Sequence, residues 1–231
     1  MRVAALYDIH GNLPALDAVL AEVEEARVDM IVCGGDLVSG PFPVEVFDRL
    51  AAVENVRYVR GNGDRDVLEG AERDGRREVA ERLGDARLAE IRTWPLTVKL
   101  DIDELGSVLF CHATPRSDLE IVTRITPDDE FVEPFAGVPI AVVGHTHIQF
   151  DRRVGDVRVV NAGSVGGPYE GRRGAFWALL GPDVEFRCTT YDIEAAADAI
   201  RAAGKPELAG WLLDPEDPNE ISAYFEGQRG S

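Results

Sequence analysis

Lysine is almost missing from this chain: Lys99 and Lys205 are the only two, and every other basic side chain is arginine. Only 24 basic residues stand against 42 acidic ones, for a net charge of −18. Such a field repels polyanions, so non-specific binding to DNA or RNA is not expected. The acid-rich, lysine-poor balance fits a saline cytoplasm and a GC-rich genome equally. Cysteine is also scarce. Cys33, Cys111 and Cys188 lie far apart, which excludes a disulfide framework, and the first two sit inside apolar runs. Reduced, buried thiols of a cytoplasmic protein are expected. No apolar run approaches the ~20 residues that span a bilayer, and the apolar stretch after Met1 is too short for a signal peptide. No Gly-x-x-x-x-Gly-Lys-Ser/Thr motif occurs, which argues against a P-loop nucleotidase.

Histidine is scarce as well, and its placement is informative. All four fall in short clusters: Asp8-Ile9-His10, Cys111-His112-Ala113 and Gly144-His145-Thr146-His147. Two further polar clusters, Gly34-Gly35-Asp36 and Gly61-Asn62-Gly63-Asp64, lie between them. Each follows a short apolar, mostly β-branched run, the pattern of side chains gathered at one edge of a sheet.

The chain length of 231 residues suits one sizeable domain. Arg2 to Tyr7 reads as a strand buried on both faces. Asn12 can cap a helix with Leu13, Leu16, Val19, Leu20 and Val23 on one side. Met30 to Cys33 and Val56 to Val59 read as further strands, separated by a helix over Val44 to Val53. This alternation predicts a parallel sheet covered by helices. Residues 64–95 are charged and helix-prone, a helical cover over the sheet edge. Leu96 to Leu100 and Val108 to Cys111 predict paired strands, Thr126-Pro127-Asp128-Asp129 a helix start capped by Thr126, and Ile140 to Val143 a buried strand. From Gln149 to Thr190 the pattern turns antiparallel. Asp192 caps a last helix, and the acidic, proline-containing tail from Asp214 is expected to be loosely held. Nothing splits 1–231 into two domains.

Residues i and i+2 of an extended strand point the same way. On that basis Asp8 with His10, and His145 with His147, each offer two ligands to one place. Open α/β sheets bind ligands beyond the carboxyl ends of their strands, where all these clusters lie. Asp8, His10, Asp36, Asn62, His112, His145 and His147 give seven donors, too many for one ion that must also hold substrate. They suit two divalent ions sharing a carboxylate. Imidazole and carboxylate without thiolate favour manganese, with iron or zinc next. Two such ions ~3.5–4 Å apart clamp a phosphoryl group for in-line attack.

In this order and spacing, Asp8-x-His10-x-Asn12, Gly35-Asp36, Gly61-Asn62-x-Asp64, His112 and Gly144-His145-x-His147 resemble the calcineurin-like metallophosphoesterase superfamily, most closely its compact bacterial and archaeal phosphodiesterase branch. The resemblance covers residues 1 to about 205. It implies an α/β fold, a four-layer α/β/β/α sandwich of two mixed sheets flanked by helices. It also implies that Asp8, His10, Asp36 and His147 hold one ion, and that Asp36 (bridging), Asn62, His112 and His145 hold the other. Asp36, Asn62 and His112 would then surround the bridging hydroxide that attacks phosphorus.

One departure stands out. Much of the superfamily carries a histidine where this chain has Gly63, and that histidine protonates or stabilises the leaving group. The expected function is therefore hydrolysis of a small phosphodiester with an acidic leaving group. The alternatives are a nucleotide polyphosphatase, a phosphomonoesterase on the same centre, or a scaffold that has lost catalysis. Asp64 could cap a helix or support the ligands from behind. Arg116, four residues after His112, could reach a substrate phosphate, and Arg172 and Arg173 could rim the pocket. Glycines in Asn161-Ala162-Gly163-Ser164-Val165-Gly166 would let backbone approach the centre. That segment loosely resembles a serine nucleophile elbow, but no histidine follows it to serve as base. A homo-oligomer stays open.

Overall fold

The computed structural model describes residues 1–71 and 75–229. Part of the expected helical cover (72–74) and the last two residues of the tail lie outside them.

Strand β1 (Val3–Leu6) is followed by α1 (Leu13–Ala26), β2 (Met30–Cys33), α2 (Pro43–Ala51) and β3 (Val56–Tyr58). Two helices come next, α3 (Asn62–Leu68) and α4 (Arg76–Ile91), then the hairpin β4 (Thr97–Ile102) and β5 (Gly106–Cys111). Short α5 (Asp128–Val132) runs into a 3-10 turn over Glu133–Phe135. After it come β6 (Ile140–Val143), β7 (Phe150–Val154), β8 (Val157–Asn161), β9 (Ala175–Leu180) and β10 (Val184–Thr189). Three helices finish the chain: α6 (Ile193–Ala202), α7 (Pro206–Leu213) and α8 (Pro218–Gln228).

The strands form two five-stranded mixed sheets, ordered β10-β9-β1-β2-β3 and β4-β5-β6-β8-β7. Strand alternation sorts their side chains into three cores. Ala4, Leu6, Ile31 and Cys33 pack outwards against Leu16 and Val19 of α1, Val46 of α2 and Val79 of α4. Val3, Ala5, Tyr7 and Val32 face Val108, Phe110, Val142 and Val160 of the second sheet. Ala141, Val143 and Val159 pack outwards on Phe131 and Phe135. The result is the four-layer α/β/β/α sandwich. Burial of one such side chain contributes about 1.5–3 kcal/mol, so the layers are held chiefly by these faces. One polar tie crosses between the sheets: the Tyr7 hydroxyl donates to the Val142 carbonyl at 2.8 Å.

Several local expectations are met. Asn12 accepts from the Ala15 amide (3.2 Å), and Asp192 caps α6 through the Ala195 amide (2.9 Å). Cys33 and Cys111 are buried and free.

Others are corrected. The expected antiparallel run holds within its two hairpins, β7–β8 and β9–β10, but it is shared between sheets: β8 pairs parallel with β6, whereas β9 joins the first sheet antiparallel to β1. Thr126 does not cap α5, because Pro127 holds the cap position without a side-chain bond and the Thr126 hydroxyl is given to Glu226. The tail from Asp214 is not loose. Asp217 caps α8 through the amides of Asn219 (2.7 Å) and Glu220 (3.4 Å), with Pro218 in the first turn. Helix α8 then docks: Thr123 and Thr126 both donate to Glu226, Arg229 pairs with Glu130 at 2.6 Å, and Ser222 is fully buried.

Candidate metal centre

The carboxyl ends of β1, β2, β3, β5 and β6 converge at one rim, and each delivers its cluster there. The backbone does this differently from the extended geometry expected. Asp8 (φ 51°), His10 (φ 47°), Asp36 (φ 55°), His145 (φ 64°) and His147 (φ 59°) are all left-handed. Non-glycine residues rarely adopt this conformation, which costs roughly 1–2 kcal/mol each. Here hydrogen bonds hold them in it. The Asp8 amide donates to Gly35 O, the His10 amide to Asp36 O and the His145 amide to Asp8 Oδ2. The paired ligands therefore converge through tight left-handed turns, not through strand alternation.

The carboxylate of Asp8 is fully buried, and its Oδ1 has no hydrogen-bond partner. Around that oxygen stand His147 Nε2 at 3.2 Å, His10 Nε2 at 3.7 Å and His112 Nε2 at 3.9 Å. Asp36 faces both sides, with Oδ1 3.6 Å from His112 Nε2 and Oδ2 3.9 Å from His10 Nε2. Donors bound at about 2.1 Å to one ion lie roughly 3–3.5 Å from each other, so these separations fit cations. Two overlapping groups, Asp8-His10-His147 and Asp8-Asp36-His112, could each hold an ion. The carboxylate common to both groups is Asp8, while Asp36 reaches towards both with separate oxygens. The Asn62 amide lies 3.0 Å from His112 Nε2 and from His145 Nδ1, which brings the remaining two predicted donors to the same place.

Each inward nitrogen is set by what the other side of the ring binds. His112 Nδ1 donates to Gly34 O (3.0 Å) and His147 Nδ1 to Gly167 O (2.6 Å), while His10 Nδ1 lies 3.0 Å from Ser39 Oγ. Nε2 of all three is left to face the cage.

The charges agree with this. Burial opposes ionisation of Asp8, yet His147, His112 and His10 hold its carboxyl far below the usual range. Burial first, then the charge of His147, pushes the His10 pKa down to about 4. His145 is likewise lowered to about 4, by burial and then by His112. His147 and His112 move the other way: burial lowers both, but the neighbouring Asp8 and Asp36 carboxylates outweigh it. Imidazoles and carboxylates together, without thiolate, are the donor set of a borderline divalent cation.

The loops behind the ligands are equally specified. Asp64, buried, accepts from the amides of Asp36 (2.8 Å), Leu37 (2.9 Å), Val38 (3.3 Å) and Gly61 (3.1 Å). It is thus both the first-turn cap of α3 and the clamp on the Asp36 loop. Burial and the Asp36 charge push its carboxyl up to about 6, against the pull of those amides. Ser164 Oγ donates to Asp8 O (2.8 Å) and accepts from the Gly167 amide, so it is a strut and not a nucleophile. Gly166 passes so close that a Cβ there would lie 1.9 Å from Ile9 O, so its backbone packs on the loop that carries Asp8 and His10. A Cβ at Gly63 would lie 2.6 Å from Ser39 Oγ and 2.9 Å from Asp36 Oδ2. Ser39 and Asp36 fill the space that a side chain at this position would enter.

The arginines are reassigned. Arg116 is exposed, and its guanidinium is spent on Glu120 (Nε 3.0 Å) and Glu133 (Nη1 2.6 Å) instead of on the ligands. Arg173 is bound to Leu213 O and Glu194, and Arg172 lies over Phe176 at 4.9 Å. Arg76, at the start of α4, is the cation whose charge bears on His10, and its Nε is buried without a partner. It sits in a charged helical run with no motif, so sequence gave no signal for it. Tyr169 was also missed: its ring stacks on His147 at 5.2 Å and 17°, and its amide donates to His147 O at 3.2 Å.

Comparison with known proteins agrees with this geometry. Residues 1–180 match the model of the calcineurin-like phosphoesterase superfamily domain. The chain is 28% identical over 239 residues to the uncharacterized protein MJ0912 of Methanocaldococcus jannaschii, covering 91% of this chain and 96% of that one. A metallophosphoesterase from Sphaerobacter thermophilus superposes with a TM-score of 0.76 at 26% identity, over 93% of this chain and 98% of its own. The protein PH1004 of Pyrococcus horikoshii shares the fold at a TM-score of 0.78 and 23% identity, over 94% and 99%. With its buried, unpartnered Asp8 oxygen ringed by imidazoles and its first 180 residues matching that model, the chain belongs to the calcineurin-like phosphoesterase superfamily.

Proposed function

We propose that the protein is a phosphodiesterase that hydrolyses a small phosphodiester at a centre of two divalent cations, manganese first and iron or zinc next. The observation that carries this reading is Asp8 Oδ1, a buried anionic oxygen with no hydrogen bond and three imidazole nitrogens within 3.9 Å. A buried anion requires compensating positive charge, and an oxygen left free of hydrogen bonds among imidazole nitrogens supports a site for cations. When bound by Asp8, His10, Asp36, Asn62, His112, His145 and His147, they supply positive charge for the phosphoryl oxygens and lower the pKa of water from ~15.7 towards ~7.

The chain's own residues set the rest. The ligand rings are fixed by carbonyls of Gly34 and Gly167, so little reorganisation is needed as charge builds on phosphorus. Attack by water proceeds in line, with inversion and no covalent enzyme intermediate. No imidazole is spare to protonate a leaving group, because all four histidines are taken as ligands and position 63 is glycine. That favours leaving groups of low basicity, hence diesters or anhydrides with acidic leaving groups. The net charge of −18 disfavours polynucleotides and leaves a small phosphate ester as substrate. The buried thiols Cys33 and Cys111 suit a reducing cytoplasm.

The test is the Mn²⁺-loaded protein on bis(p-nitrophenyl) phosphate and p-nitrophenyl phosphate. The diester should be cleaved faster, and Asp36→Asn should abolish turnover. A preference for the monoester would overturn the assignment.

A further inference from the structure

We propose that Tyr169, Phe225 and Tyr224 form the subsite for a planar aromatic group of the substrate, which makes helix α8 part of the active site. The inference rests on the phosphoesterase reading above and names the organic side of that substrate.

Five rings follow one another from the cage to solvent. His10 and His147 have centroids 4.9 Å apart, His147 and Tyr169 5.2 Å, Tyr169 and Phe225 6.4 Å, Phe225 and Tyr224 6.0 Å. The series starts where the cage is open. The side chains of His10 and His147 keep 20% and 12% exposure and that of His112 keeps 1%; His145 and Asn62, on the other side, are half-buried as well. Of the open sides, this is the one lined by rings, so an ester whose phosphate sits at the cage can lay a planar organic part along it. At the far end Tyr224 is 62% exposed. A ring serving only to glue α8 to the core would be buried, and Tyr224 is not.

The row is also held rigidly. Tyr169 is tied to the His147 backbone by its amide (3.2 Å), and Gly171 N donates to Glu216 O (2.9 Å), which fastens the Tyr169 loop to the segment before α8. Glu226, next to Phe225, is anchored by Thr123 and Thr126. Fixed aromatic faces stack on planar groups with little entropy cost, and a stacked base is commonly lost at about a tenfold penalty. With one phosphate-sized cage and an acidic surface, the chemistry that fits is a nucleoside phosphate or another aryl phosphate ester, not a strand of nucleic acid.

The test compares AMP with ribose 5-phosphate, which share a phosphate and differ by the base. Calorimetry on the Mn²⁺-loaded protein measures both affinities without turnover. The wild type should bind AMP at least tenfold more tightly. Tyr224→Ala should reduce the difference to about twofold and Tyr224→Phe should keep it, with circular dichroism melts confirming that both variants fold. Equal affinities in the wild type, a preference that survives both Tyr224→Ala and Phe225→Ala, or no binding of either ligand would overturn the subsite. A protein that prefers AMP but cleaves no phosphate ester keeps the subsite and sinks the phosphodiesterase reading; the reverse result sinks only the subsite.

Discussion

His10 Nε2 and His147 Nε2 face each other at 3.1 Å. Two imidazole lone pairs at that separation repel, so a proton or a cation has to lie between them. Without an ion, the raised pKa of His147 and the lowered pKa of His10 put the proton on His147. Metal loading should therefore release protons and stabilise the fold. Metal analysis should find about two equivalents of transition metal, and EDTA should remove activity and lower Tm together. At a hundredfold excess over Kd the gain is about 2.7 kcal/mol. A protein that takes up no metal when offered Mn²⁺ would contradict the cage.

Gly63→His, which introduces the histidine expected from the family resemblance, should not create a monoesterase. Its Cβ would press on Ser39 Oγ and Asp36 Oδ2, so the variant should lose at least tenfold in diester turnover and bind metal more weakly. Initial rates on monoester and diester check this, and a gain in the monoester-to-diester ratio without loss of metal would refute it.

Asp64→Asn keeps the shape but gives up part of the acceptor capacity for four amides. An unmet buried donor costs about 1–3 kcal/mol. Urea unfolding should show a loss of that size, with weaker metal binding because the Asp36 loop is released. Wild-type stability in this variant would mean that the clamp is dispensable.

Arg116→Ala should leave KM within twofold, since both faces of its guanidinium are held by Glu120 and Glu133. Arg76→Gln should raise KM at least fivefold, because its charge already reaches His10 and its Nε has no partner. Steady-state kinetics on bis(p-nitrophenyl) phosphate separate the two. The opposite ranking would restore Arg116 as the phosphate contact.

The docking of α8 should depend on acid. Burial raises the pKa of Glu226, but hydrogen bonds from Thr123, Thr126 and Arg229 outweigh it and leave it lowered. A carboxyl depressed on folding stabilises above its unfolded pKa of about 4.3, and that contribution is lost as pH falls through the folded value. Amide exchange of α8 should thus speed up below about pH 4, selectively against the sheets, and Glu226→Gln should flatten the dependence. Exchange rates of α8 that track the sheets throughout would count against it.

The ligands were legible in sequence for a physical reason. A buried strand ends where its apolar run ends, so Asp8, Asp36, Asn62, His112 and His145 announced their position at the sheet rim. How they converge was not legible. Hydrophobic periodicity carries no φ, so it predicts extended chain where Asp8 and His10 adopt left-handed turns. Asp64 was readable as a cap or as a support, and it is both, because the Asp36 loop crosses the start of α3. Arg116 misled through proximity in sequence. Glu120, four residues on, was the competitor, and Glu133 could only be placed by the fold. Helix α8 was hidden by its acidic composition, although Asp217-Pro218 is a start signal in plain view.

The bond from Tyr7 to the Val142 carbonyl has a wider meaning. Asp8 follows one end of it and Gly144-His145 the other, so it works as a gauge block between the two halves of the cage. On the proposed two-cation reading, the room between those halves would then depend on the hydrophobic seam beneath the ligands. Relatives with identical ligands could tune their metal preference by repacking that seam alone.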